Sequence, residues 1–181
     1  MEPPKTAMLS SEPQNDCVIK DVHNLYDKWV LWAHLPHDTD WSLGSYKKIM
    51  TIETVEDMIA VCKGIPEKMV KNCMLFIMRS GITPTWEDKR NRNGGCFSFK
   101  TTNKSVHSVW KNIGCMLVGE TLSNNNKLLQ NINGITISPK RSFCIIKVWI
   151  SSCTHQDPEL LGDIPDLSKH GCLFKRHIPE Y

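Results

Sequence analysis

The sequence lacks the features that mark membrane, secreted or broadly nucleic-acid-binding proteins. No apolar run approaches the ~20 residues that span a bilayer, and the first residues show no basic stretch followed by an apolar one, as a signal peptide would. The net charge of +3 is too small to indicate a wide electrostatic surface for long nucleic acid. We therefore expect a soluble protein of the cytoplasm or nucleus, in which any anion site is local.

The eight cysteines form no C-x-x-C pair. A chain of 181 residues can bury a sizeable core without disulfides, so reduced thiols are expected. Cys153 with His155 and His170 with Cys172 could supply four zinc ligands. Ordinary strand or loop positions are the favoured interpretation, and no metal or other cofactor is expected.

Patterns that indicate catalysis are also missing. The sequence has no nucleophile elbow, no phosphate-binding loop and no spaced carboxylate pair. His37, close to Trp41, is the one histidine of interest, and a solvent-facing loop position is its favoured role. A binding protein is expected rather than an enzyme.

Length and composition favour one domain after a short tail. Residues 1–20 carry Pro3, Pro4 and Pro13 among polar residues and have no apolar period, which predicts a flexible N-terminal tail. With 40% hydrophobic and 23% charged residues, residues 21–181 are expected to form a single globular domain.

Short apolar runs predict strands, and two longer segments have helical spacing. Thr54 with Asp57 is typical of a capping box before a helix, and the apolar residues from Val106 to Leu117 predict a second helix. Asp157 before Pro158 indicates a short third helix. Strands are predicted around residues 29–31, 46–52, 75–78, 96–100, 135–137, 143–150 and 172–177.

Several of the connections between these strands have hairpin length. Pro139-Lys140-Arg141, for example, joins two of them. Such links favour an α+β fold, in which an antiparallel sheet has its helices packed on one face.

The six tryptophans lie in two kinds of setting. Trp29, Trp110 and Trp149 belong to apolar patterns, where an indole most often fills the core. Trp41 and Trp86 each lie in a polar loop, away from any apolar period. An indole in such a loop favours ligand binding.

Two facing indoles bind a flat cationic ring best, through stacking on both faces and a cation–π attraction. Guanine methylated at N7 is such a ring, and Glu87 could accept hydrogen bonds from its N1 and N2 donors. An attached polyphosphate needs cations. Candidates are Lys140, Arg141, Arg90 and Arg92, for each of which a solvated loop position is about as well supported.

The segment from Ser80 to Gly95 resembles the G-I-x-P-x-W-E-D-x-x-N-x-x-G-G signature of the eukaryotic translation initiation factor 4E family, the cytoplasmic proteins that bind the mRNA cap. The run from His23 to Trp32 is similar to the family's H-P-L-x-x-x-W-x-L-W strand, and Thr54-Val55-Glu56-Asp57 to its T-V-E-D helix start. The likeness, which also takes in Trp110, Gly119-Glu120 and Trp149, covers roughly residues 22–150.

The resemblance implies a curved antiparallel sheet backed by about three helices on its convex face, with the cap in a slot on the concave face. Trp41 and Trp86 would sandwich the methylated base, and Glu87 would bind the guanine edge. The Trp86 backbone N–H would meet guanine O6. Trp149, which its apolar pattern assigns to the core, would touch the N7 methyl group.

The phosphate-binding positions depart from the family pattern. Lys140 stands where the family has a phosphate-binding Arg, and Ile145 stands where it has a phosphate-binding Lys. Lys147 lies two residues further along the predicted strand and so shares the face of Ile145. A retained base site with a weaker or rearranged triphosphate site is therefore expected.

The family's helical back face binds a helix of a scaffold subunit or of repressors. His23, Leu25 and Val55 match that surface, whereas Asn24, Ile59, Lys111 and Cys115 replace a proline, a tryptophan and two leucines. Lost anchors of this kind weaken a bound helix. The chain after Trp149 is also shorter than in the family and shows no counterpart of its C-terminal loop on the cap side.

Three functions follow from these observations. The first is a monomeric cap-binding protein that acts in translation initiation through a scaffold partner. The second is a cap-binding competitor or repressor, viral or parasite-encoded, that does not recruit the usual scaffold. The third is an interaction module that has lost cap binding, an interpretation that the intact Trp41, Trp86 and Glu87 oppose.

Overall fold

The structure, a computed structural model, describes residues 21–180. The flexible tail predicted for residues 1–20 lies outside this range. No helix in the described range is long and apolar enough to cross a membrane.

Within residues 21–180, seven strands form one antiparallel sheet in the order β2-β1-β3-β5-β6-β4-β7. The strands are β1 (Asn24–His34), β2 (Lys47–Thr54), β3 (Met74–Arg79), β4 (Gly95–Thr102), β5 (Ile132–Pro139), β6 (Phe143–Ile150) and β7 (Leu173–Arg176). The predicted α+β class and antiparallel sheet are confirmed.

In the part of the chain that the structure describes, four α-helices accompany the sheet: α1 (Val55–Gly64), α2 (Glu67–Asn72), α3 (Val106–Val118) and α4 (Asn126–Asn131). The predicted capping box is present at the start of α1. The Thr54 hydroxyl accepts from Asp57 N at 3.1 Å, and an Asp57 carboxylate oxygen accepts from Thr54 N at 3.0 Å. These bonds satisfy backbone donors that a helix start leaves free.

The short third helix predicted after Asp157 is a 3₁₀ helix, Pro158–Leu160, and Asp157 caps it by accepting from Glu159 N. Two short helices, α2 and α4, were not predicted, because six residues are too few to show an apolar period.

Alternation along the strands gives the sheet two different faces. Leu75 and Ile77 on β3 join the main core beneath the helices. Phe76 and Met78, which alternate with them along β3, join a smaller cluster with Trp149 on the other face. Because the helices cover only one face, the second face is available for a binding site.

A buried ion-pair network ties three parts of the helical side together. The Arg79 guanidinium donates to Asp27 at 2.6 Å and to Glu120 at 2.8 Å, and also to the Ile132 carbonyl at 3.2 Å. It lies over the Trp29 ring, 4.3 Å from its centroid. Hydrogen bonds to these two carboxylates raise the Arg79 pKa although burial opposes that shift.

Candidate functional site

A cavity of about 610 Å³ opens on the face of the sheet opposite the main core, and we call it the slot. Its lining includes Trp41, Trp86, Glu87 and Trp149, the four residues predicted to bind a base. Lys147, Tyr46, Phe76 and Glu180 also line it. The slot is therefore formed by residues of the β1–β2 loop, the β3–β4 loop, strand β6 and the C-terminal segment, among others.

The His34 ring stacks on one face of the Trp41 ring. The two rings stack with centroids 4.1 Å apart and planes 5° from parallel, and His34 Nε2 lies 2.8 Å from the Asp40 carbonyl oxygen. The Asp40 carboxylate accepts from Ser42 N and from Ser42 Oγ, and these bonds lower its pKa. Trp41 is 57% exposed, so its ring is fixed by the loop yet open to a ligand.

Two polar side chains, the half-buried Asp88 and the buried Asn91, shape the loop that carries Trp86. The Asp88 carboxylate accepts from Thr83 N, Thr83 Oγ1 and Arg90 N. The fully buried Asn91 donates to the carbonyls of Thr83 and Thr85. These bonds explain why a loop without regular structure can present Trp86 and Glu87 in a fixed geometry.

Trp149 is both core and site. Its side chain is 4% exposed and packs with Phe76 and Met78, as its apolar pattern predicted, yet it also lines the slot. Its Nε1 donates to Thr136 Oγ1 at 2.7 Å, which satisfies the one polar atom of the indole.

His177 packs beside the slot between two of its tryptophans. Its ring stacks on Trp86 with centroids 5.7 Å apart and lies 4.8 Å from the Trp149 centroid. Nδ1 lies 2.7 Å from the Asn91 carbonyl oxygen, so it carries the proton, while the buried Nε2 has no hydrogen-bond partner among residues 21–180. Burial lowers the pKa of His177, and the nearby Lys147 charge adds to that shift, whereas the Asn91 carbonyl and Glu87 oppose it.

This lowered pKa should make the stability of the protein depend on pH. The unfolded chain protonates this histidine near its ordinary pKa of about 6.5, at a pH where the folded chain keeps it neutral. The free energy of unfolding should therefore fall as the pH drops below about 6.5, and His177→Gln should show a smaller fall. Urea unfolding at several pH values measures the effect. His170→Gln, at an exposed position, is the control and should behave like the parent protein.

The structure separates the four cations predicted to bind phosphate. Lys147 lines the slot. Lys140 and Arg141 line a different cavity of about 880 Å³. Arg90 lines a third cavity, beside Asp27 and Arg79 on the helical side, so its position does not support phosphate binding in the slot.

The residues predicted to bind a partner lie on α1, α3 and the start of the sheet. His23 Nδ1 lies 2.7 Å from a Glu56 carboxylate oxygen, and the contact lowers the Glu56 pKa to about 2. Leu25 packs against the core, whereas Val55 and Ile59 are 42% and 46% exposed one helical turn apart.

On the neighbouring helix α3, Lys111 is half-buried. The exposed Cys115 places its sulfur 3.8 Å from that of Cys62. Both thiols are free, as are the other cysteines within residues 21–180.

The sequence did not single out His34, His177 or Glu180. His34 is two residues after Trp32 on β1, so the two side chains point to the same face of the sheet. This alternation could have placed His34 on the slot face. His177 and Glu180 follow the last strand, and no local pattern shows that the chain returns to Trp86 there. His37, the histidine predicted to be of interest, is exposed, and His34 takes the place beside Trp41. Within residues 21–180, no group of three histidine, cysteine or acidic side chains could hold a metal.

Comparison with known proteins agrees with this geometry. The sequence model described as Eukaryotic initiation factor 4E matches residues 24–169. Eukaryotic translation initiation factor 4E of Eremothecium gossypii is 31% identical over 160 residues, which cover 84% of this chain and 70% of that protein. A homolog of the factor in Acanthamoeba polyphaga mimivirus is 32% identical over 128 residues, covering 63% of this chain and 47% of the relative. The chain thus spans about half the length of the mimivirus protein.

A solved structure shows the same fold. Schistosome eIF4E, crystallised with m7GpppG and 4E-BP, superposes with a TM-score of 0.68 at 23% identity, covering 75% of this chain and 76% of the other. The family match extends over most of the chain and includes the Trp86 loop, the T-V-E-D helix start and the slot residues Trp41 and Trp149. The chain belongs to the eukaryotic initiation factor 4E family.

Proposed function

We propose that this protein binds the 7-methylguanosine cap of mRNA in the slot and acts in translation initiation. The observation that carries the proposal is the meeting of Trp41, Trp86, Glu87 and Trp149 around one cavity of about 610 Å³. The relatives are named as initiation factors, and the Schistosome structure contains a cap dinucleotide, m7GpppG.

The two loop indoles supply the base-binding surfaces. One face of the Trp41 ring is covered by His34, which leaves the other face for a ligand. Trp86 is likewise backed by His177. Rings that are already fixed lose little conformational entropy when a base enters between them, so more of the stacking energy appears as affinity.

The charges of the slot favour a methylated guanine over an unmethylated one. Among residues 21–180, the charged side chains that line the slot are Glu87, Glu180 and Lys147, so this part of the lining is net negative. Methylation at N7 gives the base a positive charge, which the indole faces and the carboxylates attract. Glu87 also accepts from the guanine N1 and N2 donors, an arrangement that adenine does not match.

The phosphate grip is reduced in this member. Lys147 is the cation of the slot lining, and it lies on β6 opposite Thr136 and Ser98. It contacts the first phosphate groups of the cap. The base site therefore supplies most of the affinity for a mononucleotide cap.

The exposed apolar pair Val55 and Ile59 on α1, next to α3, forms the partner surface on the helical face. It binds a helix of a scaffold subunit or 4E-binding protein in the cytoplasm. Ile59 and Lys111 change the anchors of this surface, so the partner's apolar positions differ from the usual ones. Restoration of growth in a host that lacks its own cap-binding factor distinguishes this role from that of a cap-binding competitor.

Titration of the tryptophan fluorescence with 7-methyl-GTP and with GTP tests the base site. We expect 7-methyl-GTP to bind at least about tenfold more tightly, because a desolvated cation–π contact contributes about 2 kcal/mol. Glu87→Gln should weaken 7-methyl-GTP binding by about tenfold or more, since hydrogen bonds to charged groups are worth about 1.5–3 kcal/mol.

Glu180→Gln, which removes the other carboxylate of the slot, is the matched control, and its effect should stay below about threefold because an exposed charge is screened by water. Equal affinity for the two nucleotides would overturn the proposal.

A further inference from the structure

A second, strongly basic cavity lies next to the slot, and nothing in the base-binding account uses it. We propose that this cavity binds backbone phosphates of the RNA chain that follows the cap. The inference rests on the proposed cap-binding function and extends it to the body of the message. We call this cavity, lined by Lys68, Lys71, Lys140 and Arg141, the basic cavity.

Charge is the first observation. The four cations line about 880 Å³ of space, and no acidic residue among residues 21–180 lines this cavity. Glu67, one turn away on α2, pairs with Lys71, whose side chain remains 33% exposed. Lys68, Lys140 and Arg141 are exposed. Such a local excess of positive charge attracts a polyanion.

Two different elements bring these cations together. Lys68 and Lys71 belong to α2, whereas Lys140 and Arg141 belong to the turn between β5 and β6. The ends of these elements are more than sixty residues apart in the sequence, so the fold creates the cavity and no sequence pattern announces it.

The basic cavity and the slot both border a third cavity. A smaller cavity of about 140 Å³ lies between them. It shares Trp41 and Met74 with the slot, and it shares Pro36, Asn72 and Pro139 with the basic cavity. A chain whose first base lies against Trp41 can therefore continue along this path without leaving the protein surface.

The slot cannot neutralise a longer nucleotide chain by itself. Its lining offers Lys147 against Glu87 and Glu180, while each added nucleotide brings one more negative charge. The cations of the basic cavity supply what the slot lacks. The basic cavity has more cations than the cap triphosphate needs, because Lys147 already contacts that triphosphate. The additional cations favour phosphates further along the RNA chain.

The lining also indicates how the RNA is bound. The part of the chain that the structure describes contributes no tryptophan, tyrosine or phenylalanine to it on which a base could stack. Contacts to phosphate carry no sequence information, whereas stacking and base-edge contacts do. The basic cavity should thus bind RNA of any sequence and should add affinity that depends strongly on salt.

The test compares Lys68→Ala/Lys71→Ala with the parent protein, using 7-methyl-GTP and a capped 10-nucleotide RNA as ligands. Neither lysine lines the slot. The double variant should bind 7-methyl-GTP within about twofold of the parent but capped RNA about tenfold more weakly, and its salt dependence should be shallower by roughly 1.4, or 0.7 for each lost phosphate contact. Lys63→Ala/Lys127→Ala removes the same charge from outside these three cavities and should change neither affinity.

Equal weakening of 7-methyl-GTP and capped RNA would overturn the inference, because the basic cavity would then belong to the triphosphate site. Unchanged binding of capped RNA would overturn it as well. Binding of an uncapped 10-nucleotide RNA, measured at low salt, separates this inference from the cap-binding proposal. Its binding must weaken in the double variant even if the protein shows no preference for the methylated nucleotide.

Discussion

Replacing Trp41 with alanine is expected to weaken 7-methyl-GTP binding by between about tenfold and a hundredfold, because stacking of one base on an aromatic side chain contributes about 1–3 kcal/mol. The change removes one wall of the slot and leaves His34 facing the ligand at a greater distance. Since the Trp41 side chain is 57% exposed, its loss should change the thermal midpoint of unfolding very little. Fluorescence or calorimetric titration measures the affinity.

Trp41→Phe is the matched control for this prediction. A phenyl ring keeps a stacking face but has a smaller surface and a weaker attraction for a cation, so this variant should fall between the parent and Trp41→Ala. Affinity within about twofold of the parent in Trp41→Ala would show that the indole is not a wall of the site, and the base would have to bind elsewhere.

Replacing Arg79 with methionine is expected to lower the free energy of unfolding by about 1–3 kcal/mol, because the part-buried Asp27 and Glu120 carboxylates lose their hydrogen-bond donor. Arg79 is 8% exposed, and its loss would leave the Asp27 and Glu120 carboxylates and the Ile132 carbonyl without their donor. Chemical denaturation measures the change.

Lys28→Met provides the comparison on the surface. Lys28 pairs with Glu53 at 3.1 Å, but their side chains are 62% and 47% exposed, so this variant should cost less than about 1 kcal/mol. Both variants should bind 7-methyl-GTP like the parent where they are folded, because neither residue lines the slot. A cost for Arg79→Met no larger than that for Lys28→Met would mean that the network does not stabilise the fold.

The sequence predicted the elements whose pattern is local and repeated. The α1 capping box, the long apolar face of α3 and the hairpin of β5 and β6 each have a signature within a short stretch, and the structure contains all three. The helices α2 and α4 lack such a signature because they are six residues long and are fixed by what surrounds them.

The residues of the site also fall into those that the sequence could indicate and those that it could not. The sequence indicated Trp41 and Trp86 because a large aromatic residue in a polar loop favours ligand binding. It indicated Glu87 as the acidic neighbour of Trp86. The partition of Lys147, Lys140 and Arg90 among three cavities could not be read from the sequence, since it depends on the end of the sheet at which each turn lies. His34 and His177 were missed because they act by supporting other rings, and such support appears only in three dimensions.

Trp41 and Trp86 are expected to hold the methylated base between them. The most direct test is a search for intermolecular nuclear Overhauser effects from the N7-methyl protons of bound 7-methyl-GTP. We predict contacts from this methyl group to indole protons of both Trp41 and Trp86. A bound nucleotide whose methyl group contacts neither indole would contradict the claim.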